Sequence, residues 1–323
     1  MDILISEDLD APAVENLSKR YSVVRSAALW KDTAALQAQI NGARAIMVRN
    51  QTRVTADLLD SAPTLLAVGR VGVGLDNIDL QAATERGVIV IAPLNANAVS
   101  VAELTLGLML ALARKVPLAD RSTRAGGWDR KLCTGIELDG KTLAICGLGR
   151  IGRQVGLRAK AFGMRLAVYD PFVKHDSPAL AGLEATLCEK LDQALAHADF
   201  VTVHSPLTAE TKHMFGSRAF AAMKKGTFFI NTSRGGVMDE AALLSALQSQ
   251  HLGGAALDVR EVEPPTTRSA FESLDNVVLT PHIGSFTTEA QTRTFEAVCD
   301  DLDRVLRGEP AINFVNMPRP KRG

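Results

Sequence analysis

The chain has 323 residues, 46% apolar and 22% charged, which suits a folded globular protein with two domains better than one large core. Its 36 basic and 36 acidic side chains cancel, so there is no basic excess of the kind that holds nucleic acid or an anionic membrane surface. Cys133, Cys146, Cys188 and Cys299 are too scattered for a metal-ligand spacing and read as free thiols.

The opening MDILISEDLD lacks the positive-then-apolar order of a secretory leader, so a cytoplasmic setting is expected. Residues 2–6 predict a strand. VENLSKRYSVV predicts a helix and a second strand, and ARAIMVR a third strand ending at Arg49. VTADLLDSA reads as a helix and PTLLAVGR as a further strand. A long helix is expected from Ala102 to about Pro117. Its apolar run, Val101 to Leu112, falls short of the roughly 20 residues that cross a bilayer.

LDGKTLAICGLGRIG opens a second alternating series. Strands are expected at TLAICG, RLAVYD, FVTVHS, GTFFINTS, GAALDV and NVVLTP, with helices at IGRQVGLRAKAFG and DEAALLSALQSQ. Apolar runs alternating with amphipathic ones favour parallel sheets covered by helices. A last helix should run from about Thr288 to Leu306 and stop near Gly308. The short tail AINFVNMPRPKRG returns to the first domain. One domain is then residues 1–99 with 291–323, and the other is residues 100–290.

Gly147-Leu148-Gly149-Arg150-Ile151-Gly152 is the strongest local motif, because the strand TLAIC precedes it and a helix pattern follows. Gly147 permits the tight turn, Gly149 lets backbone approach a pyrophosphate, and Gly152 allows close helix–strand packing. The helix start offers free N–H groups to phosphate oxygens. RLAVY ends at Asp170, 18 residues after Gly152. That carboxylate can bind both adenosine ribose hydroxyls and would repel a 2'-phosphate, so NAD(H) is preferred over NADP(H).

Polar residues follow three later strands: Arg234 in NTSRGG, Asp258 and Glu263 in ALDVREVEPP, and His282 in TPHIGS. Ligands of doubly wound sheets collect at such strand ends. An arginine can grip a carboxylate through two N–H bonds. A histidine can exchange the proton of a hydroxyl near neutral pH, and a neighbouring carboxylate orients it and favours its charged form. Arg234, Glu263 and His282 thus form an economical set for a 2-oxo acid. His204, after FVTV, is placed along the cofactor cleft. No grouping suggests a metal site.

VRNQTRVTADLL, VGRVGVGLDNIDLQAATERGV, SVAELTLGLMLALAR, GGWDRKL, ELDGKTLAICGLGRIGR, VHSPLT, NTSRGGVMDEAAL, ALDVREVEPP and NVVLTPHIG together resemble the D-isomer-specific 2-hydroxyacid dehydrogenase family. The catalytic part of its D-3-phosphoglycerate dehydrogenases is the nearest in pattern, over almost the whole chain. The resemblance implies a Rossmann-type NAD domain inserted in a smaller flavodoxin-like α/β substrate domain. It implies a catalytic arginine at Arg234, a catalytic glutamate at Glu263 and an acid/base histidine at His282. It places cofactor contacts at Val73, Arg150, Ile151, Asp170, Pro206, Thr232, Asp258 and Gly284. Substrate contacts are implied at Val73 and Gly74 of the Val71–Gly74 loop, at Arg234, and at Arg49 for a distal phosphate. A homodimer through the Glu103 helix region is also implied.

One departure is clear. The family's loop proline, nine positions before the helix glutamate, would fall on Leu94, whereas this chain has Pro93. Substrate identity is therefore left open between D-3-phosphoglycerate and hydroxypyruvate, glyoxylate or another 2-oxo acid. Arg53 and Arg130 are further basic candidates. An NADH-sensing corepressor is the alternative of a different class, disfavoured by retention of all three reacting side chains. Ending after the last family helix, the sequence leaves no regulatory domain or serine-type feedback to be expected.

Overall fold

Strands made entirely of apolar residues fold where helices cover both faces of a parallel sheet. The computed structural model describes residues 1–322 and has two such sheets. They belong to two units, one of residues 1–97 with those from Ser285 onward, the other Ala98–Gly284.

In the first unit the strands are β1 (Ile3–Ile5), β2 (Val23–Arg25), β3 (Ala45–Val48), β4 (Ala67–Arg70) and β5 (Ile89–Ile91). All pair in parallel in the order β2-β1-β3-β4-β5, the flavodoxin-like arrangement. Every residue of β1, β3 and β5 is buried. The Thr288–Leu306 helix starts where the Thr287 hydroxyl accepts the Ala290 N–H. It lies so close to β4 that a Cβ on Gly69 would sit 2.8 Å from Val298 Cγ1. Buried Asp301 then accepts the N–H groups of Ile312 and Asn313, and Phe314 bridges to Ile91, so the tail is stitched to β5.

In the second unit the strands are β6 (Thr142–Cys146), β7 (Arg165–Tyr169), β8 (Thr186–Leu187), β9 (Phe200–Val203), β10 (Phe228–Asn231), β11 (Gly254–Leu257) and β12 (Val277–Leu279). Their order is β12-β11-β10-β9-β6-β7-β8, again all parallel. This is the Rossmann order with one added strand. The chain reverses direction across the sheet between β6 and β9, which opens a ligand crevice beyond their carboxyl ends. Phe215, Phe220 and Phe229 pack edge and tilt beneath the sheet, with ring centroids 5.1–6.5 Å apart.

The helix expected over 102–117 is two helices, Ala98–Ala113 and Val116–Arg124, with Lys115 left-handed between them at φ 52°. Pro117 explains the break: it has no N–H to continue a helix but fits a first turn. Strands β5 and β8 went unanticipated; β8 has only two residues to carry a pattern. Among the described residues no helix is long and apolar enough to cross a membrane.

Candidate active site

Where β6 ends, Gly147 turns at φ 97°, and a Cβ there would lie 2.8 Å from the His204 carbonyl carbon. A Cβ on Gly152 would lie 2.1 Å from the Gly147 oxygen, so turn and helix touch backbone to backbone. At Gly149 a Cβ would meet nothing within 4 Å. The 12-residue helix Arg150–Ala161 thus begins beside open space, and no side chain caps it. Arg150 is exposed and Ile151 half-buried at its start.

Asp170, following β7, reaches back to this turn. Its Oδ2 accepts the Leu148 N–H at 2.8 Å and its Oδ1 the Phe172 N–H at 2.9 Å. His204 Nε2 lies 3.0 Å from the Thr202 hydroxyl, while its enclosed Nδ1 has no partner among the described residues. Burial pushes this imidazole down to about 3, so it is neutral at pH 7. Thr232, at the end of β10, is buried and shares a 3.0 Å hydroxyl contact with Thr105. The open space, uncapped helix start, strand-end carboxylate and orphan ring nitrogen fit a dinucleotide: N–H groups for its diphosphate, Asp170 for its ribose.

Two strand ends further along, the loop after β10 is folded by Asn231. Its Oδ1 accepts from Ser233, and its Nδ2 donates to the Arg234 carbonyl at 2.9 Å. Gly235 follows Arg234, and a Cβ there would fall 1.9 Å from the Arg260 oxygen. Only glycine lets these two loops meet. On the second loop, Glu263 Oε1 accepts the Arg260 N–H at 2.8 Å, and Oε2 accepts from His282 Nδ1 at 2.6 Å. Burial pushes the Glu263 carboxyl up, but the His282 and Arg260 hydrogen bonds and the charges of His282 and Arg234 outweigh it. The net result lies below the ordinary value.

His282 sits at φ 55°, a strained conformation for a residue with a Cβ. Buried Asp258 holds it there. Asp258 Oδ1 accepts the Thr280 hydroxyl at 2.6 Å and the Ile283 N–H at 2.8 Å, Oδ2 accepts the Gly284 N–H at 2.8 Å, and its carbonyl takes the His282 N–H. The family resemblance implies a cofactor contact for Asp258, and in the fold the same residue shapes the histidine loop. With Nδ1 engaged, His282 Nε2 is the ring nitrogen left to exchange a proton with a ligand.

Residues 106–284 match the NAD binding domain of the D-isomer specific 2-hydroxyacid dehydrogenases. The chain belongs to this family. A D-3-phosphoglycerate dehydrogenase from Methanocaldococcus jannaschii is 46% identical over 316 residues, covering 98% of this chain and 59% of that protein. A Thermus thermophilus protein of solved structure superposes with a TM-score of 0.89 at 34% identity, over 98% of this chain and 100% of that one. An NADPH-dependent glyoxylate/hydroxypyruvate reductase from Sinorhizobium meliloti gives 0.88 at 30% identity, over 100% and 99%.

In this 2-hydroxyacid dehydrogenase family member, Arg49, Val73 and Gly74 lie in the first unit, after β3 and in the turn after β4. The Arg49 loop is built on Glu7, whose buried carboxylate accepts the N–H groups of Arg49, Asn50, Gln51 and Thr52 at 2.8–3.3 Å. Arg49 Nη2 donates to Gln291 Oε1 at 2.9 Å, and its guanidinium lies 4.5 Å from the Phe286 ring centroid. Burial lowers its pKa, opposed by the Glu7 charge. Arg70 ends β4 opposite Val48, so two arginines leave neighbouring strand ends. Sequence reading passed over Arg70 and Glu7. The arginine in VGRVGVG, directly before a glycine loop, was the available signal; nothing local marked Glu7. In the Pro93 loop, the Ala96 carbonyl accepts Nε and Nη2 of Arg293 at 3.0 and 2.8 Å, which braces the loop. Pro206 is exposed in the second unit, and its carbonyl accepts the Thr211 hydroxyl at 2.6 Å.

Proposed function

We propose that the protein is an NAD-dependent dehydrogenase interconverting a D-2-hydroxy acid and its 2-oxo acid, with D-3-phosphoglycerate as first substrate. The observation that carries this is the 2.6 Å His282–Glu263 pair, on a carboxylate that also feels the charge of Arg234. Bound NAD supplies the carbon that accepts or returns the hydride. Arg234 grips the substrate carboxylate and polarises the adjoining oxygen. His282 Nε2 removes the C2 hydroxyl proton in oxidation and returns it to the carbonyl oxygen in reduction. Glu263 fixes the ring through Nδ1. Val73 and Gly74 supply backbone groups to the substrate carboxylate.

The phosphorylated substrate is favoured by Arg49 and Arg70 at adjacent strand ends. Arg49 in particular is a half-buried cation whose guanidinium meets a neutral amide and a ring. A hydroxypyruvate or glyoxylate reductase is the second reading, supported by likeness to the Sinorhizobium enzyme. NADH oxidation by purified protein separates them through kcat/KM for 3-phosphohydroxypyruvate, hydroxypyruvate, glyoxylate and pyruvate. Preference for the phosphorylated acid is expected. Preference for an unphosphorylated one transfers the protein to the second reading, and tight NADH binding without turnover of any acid supports an NADH sensor instead.

NAD is preferred over NADP because both Asp170 oxygens are held in place by backbone N–H groups, fixing negative charge where a 2'-phosphate would sit. A homodimer through the Glu103 helix region accounts for the next segment. The Val116–Arg124 helix buries none of its residues, and Val116 and Trp128 are 53% and 77% exposed. The four free cysteines suit a reducing, cytoplasmic setting.

A further inference from the structure

Arg260 lies three residues before Glu263, and its side chain is only 12% exposed. Its fork is filled. Nε and Nη2 reach the two Glu240 oxygens at 2.9 and 3.0 Å, Nη2 also donates to Ser269 Oγ at 3.1 Å, and Nη1 lies 3.4 Å from Glu272. The guanidinium also stacks 5.1 Å from the Phe271 ring centroid. Glu240 begins the Glu240–Gln248 helix, and its Oε1 also accepts the Glu261 N–H at 2.8 Å. One helix start therefore anchors both the side chain of Arg260 and the backbone beside it. From that anchored backbone the Arg260 N–H holds Glu263 Oε1 and leaves Oε2 to His282. The Arg260 carbonyl meanwhile packs on Gly235, next to Arg234.

We propose that Arg260 is a positioning residue, whose two-toothed bond to Glu240 holds the Glu263 carboxylate in line with His282 Nδ1. The inference rests on the dehydrogenase reading of Glu263 and His282. A guanidinium fork fixes direction in a way that a lysine point charge does not, and small displacements of a reacting group carry large rate penalties.

The test compares full-length wild type, Arg260→Met, Arg260→Lys, Glu263→Gln and the double variant Arg260→Met/Glu263→Gln. NADH oxidation is measured with the preferred 2-oxo acid, NADH affinity by fluorescence, and folding by thermal melting. Arg260→Met should lower kcat about 10- to 100-fold, with NADH affinity within about twofold of wild type. Arg260→Lys should recover part of the loss, and it carries the comparison if Arg260→Met does not fold. In the Glu263→Gln background, loss of Arg260 should add no further decrease in kcat. A full additional decrease there, or wild-type kcat in a folded Arg260→Met, overturns the inference. Wild-type rates for Glu263→Gln would sink the underlying reading instead, a separate result.

Discussion

At the carboxyl ends of β10 to β12, charge meets charge: His282 on Glu263, Arg234 acting on the same carboxylate, and Arg260 on Glu240. At the end of β3 the Glu7 charge acts on Arg49 only at a distance. Arg49 rests on the amide of Gln291 and the face of Phe286, and nearby Glu7 spends its carboxylate on four backbone N–H groups. A paired imidazole and carboxylate are prepared to move a proton. A half-buried cation held by neutral partners keeps its attraction for an anion that arrives with the ligand. The same residue types are thus set for different work by what surrounds them.

The largest effect should come from His282→Ala, which removes the proton-exchanging group. Turnover is expected to fall about 10²- to 10⁴-fold while NADH affinity, read by fluorescence titration, stays near wild type. Comparable turnover in the variant would end the proposed role. The comparison sharpens with Arg49→Gln. Loss of one charge-assisted bond to a distal phosphate should cut kcat/KM about 10- to 100-fold for 3-phosphohydroxypyruvate, yet leave glyoxylate nearly unaffected. A uniform loss on both substrates would make Arg49 a structural residue.

Exchange of Asp170 for Ala should weaken NADH binding and narrow the preference for it over NADPH by about 10-fold; an unchanged ratio of dissociation constants would place cofactor choice elsewhere. Glu263 offers a direct reading of its own pair. Its folded pKa is depressed, so the pair is intact above the ordinary 4.5 and is lost as pH falls through the lower folded value. Carboxyl carbon NMR should show a midpoint below 4.5 that moves up when His282 is replaced by Ala. A midpoint indifferent to His282 would break the pairing in solution. The smallest change is Gly69→Ala, away from both corners. Its Cβ would press on Val298 Cγ1 at 2.8 Å, and melting should report a loss of about 1–3 kcal/mol.

Much of the second unit was legible from local pattern. The six strands expected after LDGK all form, and the Gly147–Gly152 turn joins strand to helix as its spacing implies. Expected helix boundaries at 288 and 306 coincide with those observed, because a threonine cap and a glycine stop mark both ends. Less was legible where local signals compete. Val116, Leu118 and Ala119 resume a helical pattern after Arg114 and Lys115, so the left-handed Lys115 break is hidden in the sequence. Glu7 was passed over since its partners are distant in sequence, and Arg70 although the glycine loop beside it was a local signal.

By itself, the sequence determined the alternation of elements, the glycine turn and the strand ends from which Arg234, Glu263 and His282 project. These depend on periodicity and on residues whose backbone freedom is local. Tertiary structure alone decided that Asp258 turns inward to shape the histidine loop, that Arg260 locks onto a helix start, and that Arg49 keeps neutral company. Each of those outcomes depends on which groups are brought within about 3 Å, where hydrogen bonds act, and side chains distant along the chain come that near only once the sheet has formed.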